Sequence, residues 1–159
     1  MAVGASNTND LQVVVFSITE QYFGIDISSV SEIIRLEKIT PIPQAPVYVE
    51  GVINIRGRVI PVINLHELFN VQLGERSDSN RVVIVEVGGQ KFGLIVEAVY
   101  EVRKISPDMI HPAPTAISLN QNYLEGIILD GENLIVLINL KKLLSEQDLD
   151  VLKAMEESA

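Results

Sequence analysis

The two histidines are the first residues to consider for chemistry, because imidazole is the side chain that most often serves as a general acid or base. His66 and His111 are the only histidines among 159 residues, and cysteine is absent. Neither His belongs to a recognisable nucleophile and base motif, and two histidines alone make a poor metal site. No Gly-containing turn matches a phosphate-binding loop. We therefore predict no enzymatic activity, no cofactor and no metal site.

A polar turn is the feature that folding explains least. The segment Asn54-x-Arg56-Gly57 interrupts two apolar runs, although a strand usually prefers a β-branched or aromatic residue to Asn. A repeated copy of the segment has Leu129 and Gly131 at the positions of Asn54 and Arg56. Arg56 is therefore either a contact that one half of the chain presents or a solvated turn residue.

A second candidate is Val30-x-Glu32, which recurs as Val99-x-Glu101. A repeated acidic residue beside a repeated valine is compatible with a binding edge. General burial habits favour the other interpretation, in which the valines lie in the core and the acids face solvent.

The elements that must position these residues occur twice. Residues Tyr48 to Phe69 return, displaced by 75 positions, at Tyr123 to Leu144. Each copy predicts a β-hairpin that runs into a short helical turn, with Gly57 or Gly131 available for the positive φ of a tight turn.

The first part of the chain is repeated as well. Residues Val13 to Ile34 return at Val82 to Arg103, and both copies predict a strand, a turn and a second strand centred on Phe-Gly. Gly88-Gly89 is a favourable two-residue hairpin loop, whereas Thr19-Glu20 is a poorer one, for which we expect a longer turn. Gly24 and Gly93 are predicted to mark a bulge or a close backbone approach.

These repeats divide the chain into half-domains. We predict a flexible N-terminus at 1–10, a first subdomain at about 11–70, a linker at 71–80, and a second subdomain at about 81–144. Residues 145–159 are predicted to form a C-terminal helix and tail, because Ser145 can cap a helix in which Leu149, Leu152 and Met155 share one face.

Composition predicts an all-β fold. The chain is 47% hydrophobic, and the Val and Ile within that fraction favour sheets. Four or five short strands bury their apolar face best by curling into a small barrel. We therefore expect two small β-barrels, related by a pseudo-twofold axis and packed against each other, with the C-terminal helix lying on one of them.

Charge and hydropathy limit the partners. A formal net charge of −9 opposes binding to nucleic acid, which normally requires a basic surface. The sequence has neither an apolar stretch long enough to cross a bilayer nor an export signal. We predict a cytoplasmic protein that does not insert into the membrane.

Several motifs follow one another in a fixed order. They are F-G-I-D-I from Phe23, V-x-E-I from Val30, a Pro-rich link, G-V-x-N-x-R-G-x-x-x-P-V-x-x-L from Gly51, and Y-L-x-G-I from Tyr123. Together they resemble the CheW family of bacterial chemotaxis coupling proteins over nearly the whole chain. We expect a free-standing adaptor.

The resemblance implies two five-stranded SH3-like β-barrels that link the cytoplasmic hairpin tip of transmembrane chemoreceptors to the regulatory domain of the histidine kinase CheA. It implies recruitment to receptor arrays at the membrane and leaves the kinase-binding face unassigned. Carried over by motif, the residues for receptor binding or assembly are Val30, Glu32, Gly51, Asn54, Arg56, Gly57, Val99, Val102 and Gly126.

Physical reasoning adds two hypotheses to this resemblance. A groove between the barrels, floored by Val and Ile, could accept the apolar stripe of a receptor helix. Glu32 and Arg56 are further predicted to pair across the first barrel.

Two alternatives to the coupling role are open. The chain could act as a CheW-like regulatory module within or beside a signalling kinase. It could also be a β-barrel that binds a small ligand, which would require a deep pocket with converging polar groups.

Overall fold

The repeated apolar runs form two β-sheets in the computed structural model, which describes residues 10–69, 76–112 and 123–158. The strands are β1 (Leu11–Ile18), β2 (Gln21–Asp26), β3 (Val30–Arg35), β4 (Val49–Ile55), β5 (Arg58–Asn64), β6 (Arg81–Val87), β7 (Gln90–Val96), β8 (Ala98–Ile105), β9 (Ile110–His111), β10 (Leu124–Asp130) and β11 (Asn133–Ile138). The helices are α1 (Leu65–Phe69), α2 (Leu140–Leu143) and α3 (Glu146–Ser158), and Ile27–Ser29 and Pro107–Met109 form 3-10 turns.

The two sheets share one strand order. Sheet A runs β8-β1-β2-β11-β10-β9 and sheet B runs β3-β6-β7-β5-β4. Replacing each strand by its repeat copy converts one order into the other, and the isolated bridge from Thr40 to Val52 in sheet B stands where β9 pairs with β10 in sheet A. The predicted pair of five-stranded units related by a pseudo-twofold is confirmed, with the two-residue β9 as an extra strand.

The sheets do not coincide with the predicted subdomains at 11–70 and 81–144. Sheet A combines β1 and β2 with three strands and β9 from the second half, and sheet B combines β6 and β7 with three strands from the first. Each half thus places its first hairpin in the sheet of the other half. The repeats did not reveal this exchange, because they identify hairpins without identifying which hairpin pairs with which.

Three clusters of buried side chains hold the sheets. The sheet A core and the sheet B core each contain side chains from one sheet only, and the central core draws on both. The sheet A core is Val13, Val15, Ile105, Ile128, Ile135 and Leu137, and the sheet B core is Ile53, Ile60, Val62, Val82, Ile84 and Ile95. The central core includes Phe16, Phe23, Ile63, Leu65, Val83, Phe92 and Leu152.

This arrangement explains the unbroken apolar runs. In β1, Val13 and Val15 face the sheet A core, whereas Val14 and Phe16 face the central core. A strand buried on both faces carries apolar residues at consecutive positions. The sheet A core joins Ile105 on β8 to Ile128 on β10, four strands away, so the sheet must curl around it.

All four major hairpins have two-residue turns. The expected longer turn at Thr19-Glu20 was wrong, because β1 ends at Ile18, β2 begins at Gln21, and Thr19 and Glu20 have φ of 51° and 65°. Both residues therefore adopt the left-handed conformation that a tight hairpin turn needs. Six regular β1–β2 pairs outweigh the local preference for Gly, Asn or Asp.

Gly24 and Gly93 lie in regular ladders, so the predicted bulges there are wrong. A Cβ atom at Gly24 would lie 3.3 Å from a methyl group of Ile135, and one at Gly93 would lie 2.6 Å from Val82. The close approach comes from side chains of neighbouring strands rather than from backbone.

The C-terminal helix is confirmed, together with its cap. Ser145 Oγ accepts a hydrogen bond from Asp148 N, and Asp148 Oδ2 accepts one from Ser145 N, both at 3.0 Å. This reciprocal pair satisfies two backbone donors at the helix start. Leu152 is fully buried, and Leu149 and Met155 pack against the central core.

Some predictions fall outside the described residues. The N-terminal segment predicted to be flexible lies there except for Asp10, as does the 71–75 part of the linker. Across the described ranges, no helix combines the length and the hydropathy needed to cross a bilayer.

Candidate binding site

The β4–β5 turn is built around Arg56 and Gly57. Both residues have positive φ, 52° and 85°, and the Gly57 amide donates a 2.9 Å hydrogen bond to Asn54 Oδ1. A short polar side chain that accepts from the backbone in this way stabilises a turn. Asn54 is therefore present in a strand because it closes the turn that presents Arg56.

The Val-x-Glu motif is a β-bulge in both copies. Val30 pairs with Val85 and Glu32 with the adjacent Ile84, which leaves Ser31 as the extra residue in β3. Tyr100 is the corresponding extra residue in β8. Bulges of this kind redirect side chains at sheet edges, and here they occur on strands that form an edge of each sheet.

Glu32 and Arg56 form the predicted ion pair, with Arg56 Nη2 lying 2.6 Å from Glu32 Oε2. The pair joins edge strand β3 to the hairpin turn at the opposite edge of sheet B, so it spans the opening of the curled sheet. The hydrogen bond and the negative charge of Glu32 raise the pKa of the Arg56 guanidinium above its ordinary value. The Arg56 side chain remains 76% exposed, and its five N–H donors exceed what Glu32 alone can accept.

Sheet A has an equivalent pair with the charges exchanged. Arg103 on β8 forms an ion pair with Asp130, the last residue of β10, and lies 4.0 Å from Glu101. Sequence reasoning missed this pair because Arg103 does not align with Glu32 and Asp130 does not align with Arg56. A search for opposite charges on the matched strands, rather than at matched positions, could have found it.

Gly51 and Gly126 have a structural role. Both are buried, and each follows a bulged residue, Glu50 in β4 and Glu125 in β10. A Cβ atom at Gly51 would lie 2.3 Å from the carbonyl oxygen of Thr40, and one at Gly126 would lie 2.8 Å from that of His111. These glycines therefore let a neighbouring chain segment cross the hairpin and are not themselves exposed to a partner.

The valines of the predicted site differ in exposure. Val30 and Val99 are half-buried and pack against the central core, so they lie where the two sheets meet. Val102 is 50% exposed on β8, and Ile33 occupies the matching place on β3 at 39%. The structure thus brings Glu32, Asn54, Arg56 and Gly57 together around one turn of sheet B, with Val30 nearby on β3. It places Val99 and Val102 on an edge of sheet A.

The groups around the β4–β5 turn are suited to binding a partner. The described ranges contain no group of three or more side chains positioned to hold a metal ion. Around the β4–β5 turn lie the Arg56 guanidinium, the Glu32 carboxylate that it neutralises, the ion pair of Arg58 with Glu156, and aliphatic edges. Such groups can recognise an acidic or carbonyl group beside an apolar surface.

Comparisons with known proteins agree with this architecture. A family model described as CheW-like domain matches residues 12–148. A chemotaxis protein CheW from Klebsiella aerogenes is 34% identical over 156 residues, covering 97% of this chain and 93% of the relative. A chemotaxis protein CheW from Treponema pallidum is 32% identical over 153 residues, covering 93% and 90%.

A solved structure is similar as well. The scaffolding protein TtCheW from Thermoanaerobacter tengcongensis superposes with a TM-score of 0.79 at 40% sequence identity. The match covers 85% of this chain and 88% of that one. The two-sheet arrangement is therefore shared with an experimentally determined fold.

Proposed function

The chain belongs to the CheW family, and from that premise we propose that it is a non-enzymatic scaffold that couples transmembrane chemoreceptors to the histidine kinase CheA in chemotaxis signalling. The relatives named above supply the chemotaxis context, and the solved neighbour is named a scaffolding protein. The protein would act in the cytoplasm and be recruited to receptor arrays through its partners.

The observation that carries the receptor half of this proposal is the exposed guanidinium of Arg56. It donates a hydrogen bond to Glu32, and the hydrogen bond from Gly57 to Asn54 closes the turn that carries it. A donor that is already fixed loses little conformational freedom when a partner binds. A carboxylate or a terminal backbone carbonyl on the receptor hairpin tip is the group that this donor would bind.

The apolar part of the contact would come from the place where the two sheets meet. Val30 and Val99 lie there, half-buried against the central core. An amphipathic helix placed across this region would bury its apolar stripe on them, which is the usual way in which a helix binds in a groove. Val102 extends the aliphatic edge on sheet A.

The kinase half of the proposal rests on the family alone. The regulatory domain of CheA is the expected partner because it is similar in fold. The face that binds it is unassigned.

A pull-down with two purified partners tests the proposal. One partner is a receptor cytoplasmic fragment and the other is the kinase regulatory domain. We expect the wild-type chain to bind both, Arg56→Ala to lose receptor binding while still binding the kinase domain, and Arg35→Ala, at an exposed arginine on β3, to bind both. Binding of the kinase domain alone by the wild type would instead favour the regulatory-module alternative, and binding of neither would contradict a coupling role.

A further inference from the structure

The C-terminal helix is attached to sheet B at both of its ends. Near its start, Tyr48 Oη donates a 2.8 Å hydrogen bond to Asp148 Oδ1. In its middle, Leu152 is fully buried in the central core. Near its end, Glu156 contacts the starts of two strands. The helix is therefore docked through polar contacts on either side of an apolar anchor.

The contacts of Glu156 use both of its carboxylate oxygens. Arg58 Nε donates to Oε1 and Gln90 Nε2 donates to Oε2, each at 2.9 Å. Gln90 is buried and also donates to the carbonyl oxygen of Lys91 at 2.9 Å, so its amide is held in place. Hydrogen bonds to a charged acceptor are stronger than neutral ones.

These contacts join two hairpin turns. Arg58 is the first residue of β5 and Gln90 is the first residue of β7. Because β5 and β7 run parallel, both strands start at the same end of sheet B. One helix side chain therefore ties the β4–β5 turn to the β6–β7 turn.

Sheet A provides an internal comparison. By repeat alignment, Gln21 corresponds to Gln90 and Asn133 corresponds to Arg58. Gln21 donates to the carbonyl oxygen of Tyr22 at 3.2 Å, just as Gln90 does to that of Lys91. Within the described residues, no helix carboxylate joins this second pair of positions. The contact of one helix carboxylate with two hairpins, made by Glu156 with Arg58 and Gln90, is thus particular to the sheet that carries Arg56.

We propose that Glu156 is a positioning residue for partner binding, because it fixes the β4–β5 turn and so the direction in which Arg56 projects. Arg58 lies two residues from Arg56 and directly follows the turn. Without Glu156 the turn would keep the pairing of Ile55 with Arg58 at its base, the hydrogen bond from Gly57 to Asn54, and the Arg56 contact with Glu32. Turns at sheet ends with few contacts open most readily. This inference rests on the proposed function, in which Arg56 contacts the receptor.

The test compares Glu156→Gln with Asp150→Asn, a matched loss of one charge at an exposed position of the same helix. Amide hydrogen exchange of Gly57 reports opening of the turn, and Gly131 in sheet A serves as the internal control. We expect Glu156→Gln to accelerate exchange at Gly57 by about threefold to tenfold and to weaken binding of the receptor fragment by a similar factor. Gly131 should not change in either variant, and Asp150→Asn should leave Gly57 and binding unchanged.

A second variant tests the same contact independently of Glu156. Arg58→Gln removes the same contact from the strand side, and the double variant with Glu156→Gln should weaken binding no more than either single variant does. Equal Gly57 exchange in Glu156→Gln and Asp150→Asn would overturn the inference, and so would faster exchange with unchanged binding. If the wild type bound no receptor fragment, the proposed function would fail, while the exchange data would still decide whether Glu156 positions the turn.

Discussion

Arg56 Nη2 lies 2.6 Å from Glu32 Oε2, although the two residues are 24 positions apart in the chain. Their contact closes sheet B across its two edges, and the pair Arg103 and Asp130 closes sheet A in the same way. Because the Arg56 side chain is largely exposed, water screens the pair and its contribution to stability is small. Effects on binding and on folding should therefore separate at this position.

Replacing Arg56 by Ala should reduce receptor-fragment affinity by roughly tenfold or more, the usual effect of losing a hydrogen bond from a charged donor at an interface. The melting temperature should hardly change, because the Arg56 side chain is 76% exposed. Isothermal titration calorimetry and thermal unfolding of the same preparation measure both quantities.

Replacing Glu32 by Ala, alone and together with Arg56→Ala, measures how the two side chains depend on each other. If Glu32 acts by orienting the guanidinium, the double variant should bind no more weakly than Arg56→Ala. Additive losses in the cycle would show that Glu32 contacts the partner independently.

Truncating the core should have the opposite pattern. Ile63 is fully buried in the central core, so Ile63→Ala should lower the free energy of unfolding by about 2 to 5 kcal/mol. Urea denaturation checks this value. Receptor binding should fall only to the extent that folded protein is lost, and a binding defect in fully folded Ile63→Ala would contradict the separation of core from site.

Gly51→Ala should destabilise the fold more than Gly126→Ala does. The added Cβ would overlap the Thr40 carbonyl oxygen at 2.3 Å, compared with 2.8 Å to that of His111, and backbone cannot rotate away as a side chain can. We expect a loss of about 1 to 3 kcal/mol or more for Gly51→Ala by urea denaturation.

Gly131→Ala is the matched control for the glycine variants. Its φ of 64° is left-handed, but no described residue other than its chain neighbours has an atom within 4 Å of the position of its Cβ. It should therefore cost only the backbone preference of about 1 kcal/mol. Equal losses in Gly51→Ala and Gly131→Ala would show that the crossing segment can move aside.

Acid should loosen the C-terminal helix. Burial raises the pKa of Asp148, but hydrogen bonds from Ser145 and Tyr48 outweigh it and leave the pKa lowered. Burial likewise raises the pKa of Glu156, but hydrogen bonds from Gln90 and Arg58 and the charges of Arg58 and Lys91 leave it lowered.

A carboxyl with a lowered folded-state pKa stabilises the fold above its unfolded pKa, about 3.9 for Asp and 4.3 for Glu, and loses that contribution as pH falls through the folded value. Urea denaturation from neutral pH down to about pH 3 should therefore show a shallower loss of stability in Asp148→Asn with Glu156→Gln than in the wild type. Asp150→Asn should follow the wild type, and equal slopes in all three proteins would contradict the assigned contacts.

Much of the fold could be predicted because the segments that form the two sheets occur as two repeat copies in the sequence. Where one copy was ambiguous the other resolved it, as Gly88-Gly89 did for the position of the first hairpin turn. The geometry of the Thr19-Glu20 turn could not be predicted from these two residues, because Thr and Glu seldom adopt positive φ. The ladder pairing of β1 with β2 imposes that conformation on them. The exchange of hairpins could not be predicted either, because similar repeats are compatible with both pairings.

Within the candidate site, the ion pair of Glu32 and Arg56 could be predicted from the opposite charges of the two side chains. Glu32 and Arg56 were found as opposite charges in two motifs. Asn54 was singled out correctly as unusual for a strand, but its role in closing the turn depends on a hydrogen bond to Gly57 that spacing alone does not reveal. The role of Gly51 depends on Thr40, which no local pattern connects to it.

Each half of the chain places its first hairpin in the sheet of the other half. This exchange also bears on how such a molecule arose. A single unit that kept this exchanged pairing would leave its own sheet two strands short and would complete it with the hairpin of a second copy, as a homodimer. Joining two such genes end to end would place both exchanged hairpins in one polypeptide. During synthesis on the ribosome, sheet B cannot be completed until β7 has emerged, and sheet A cannot be completed until β11 has emerged.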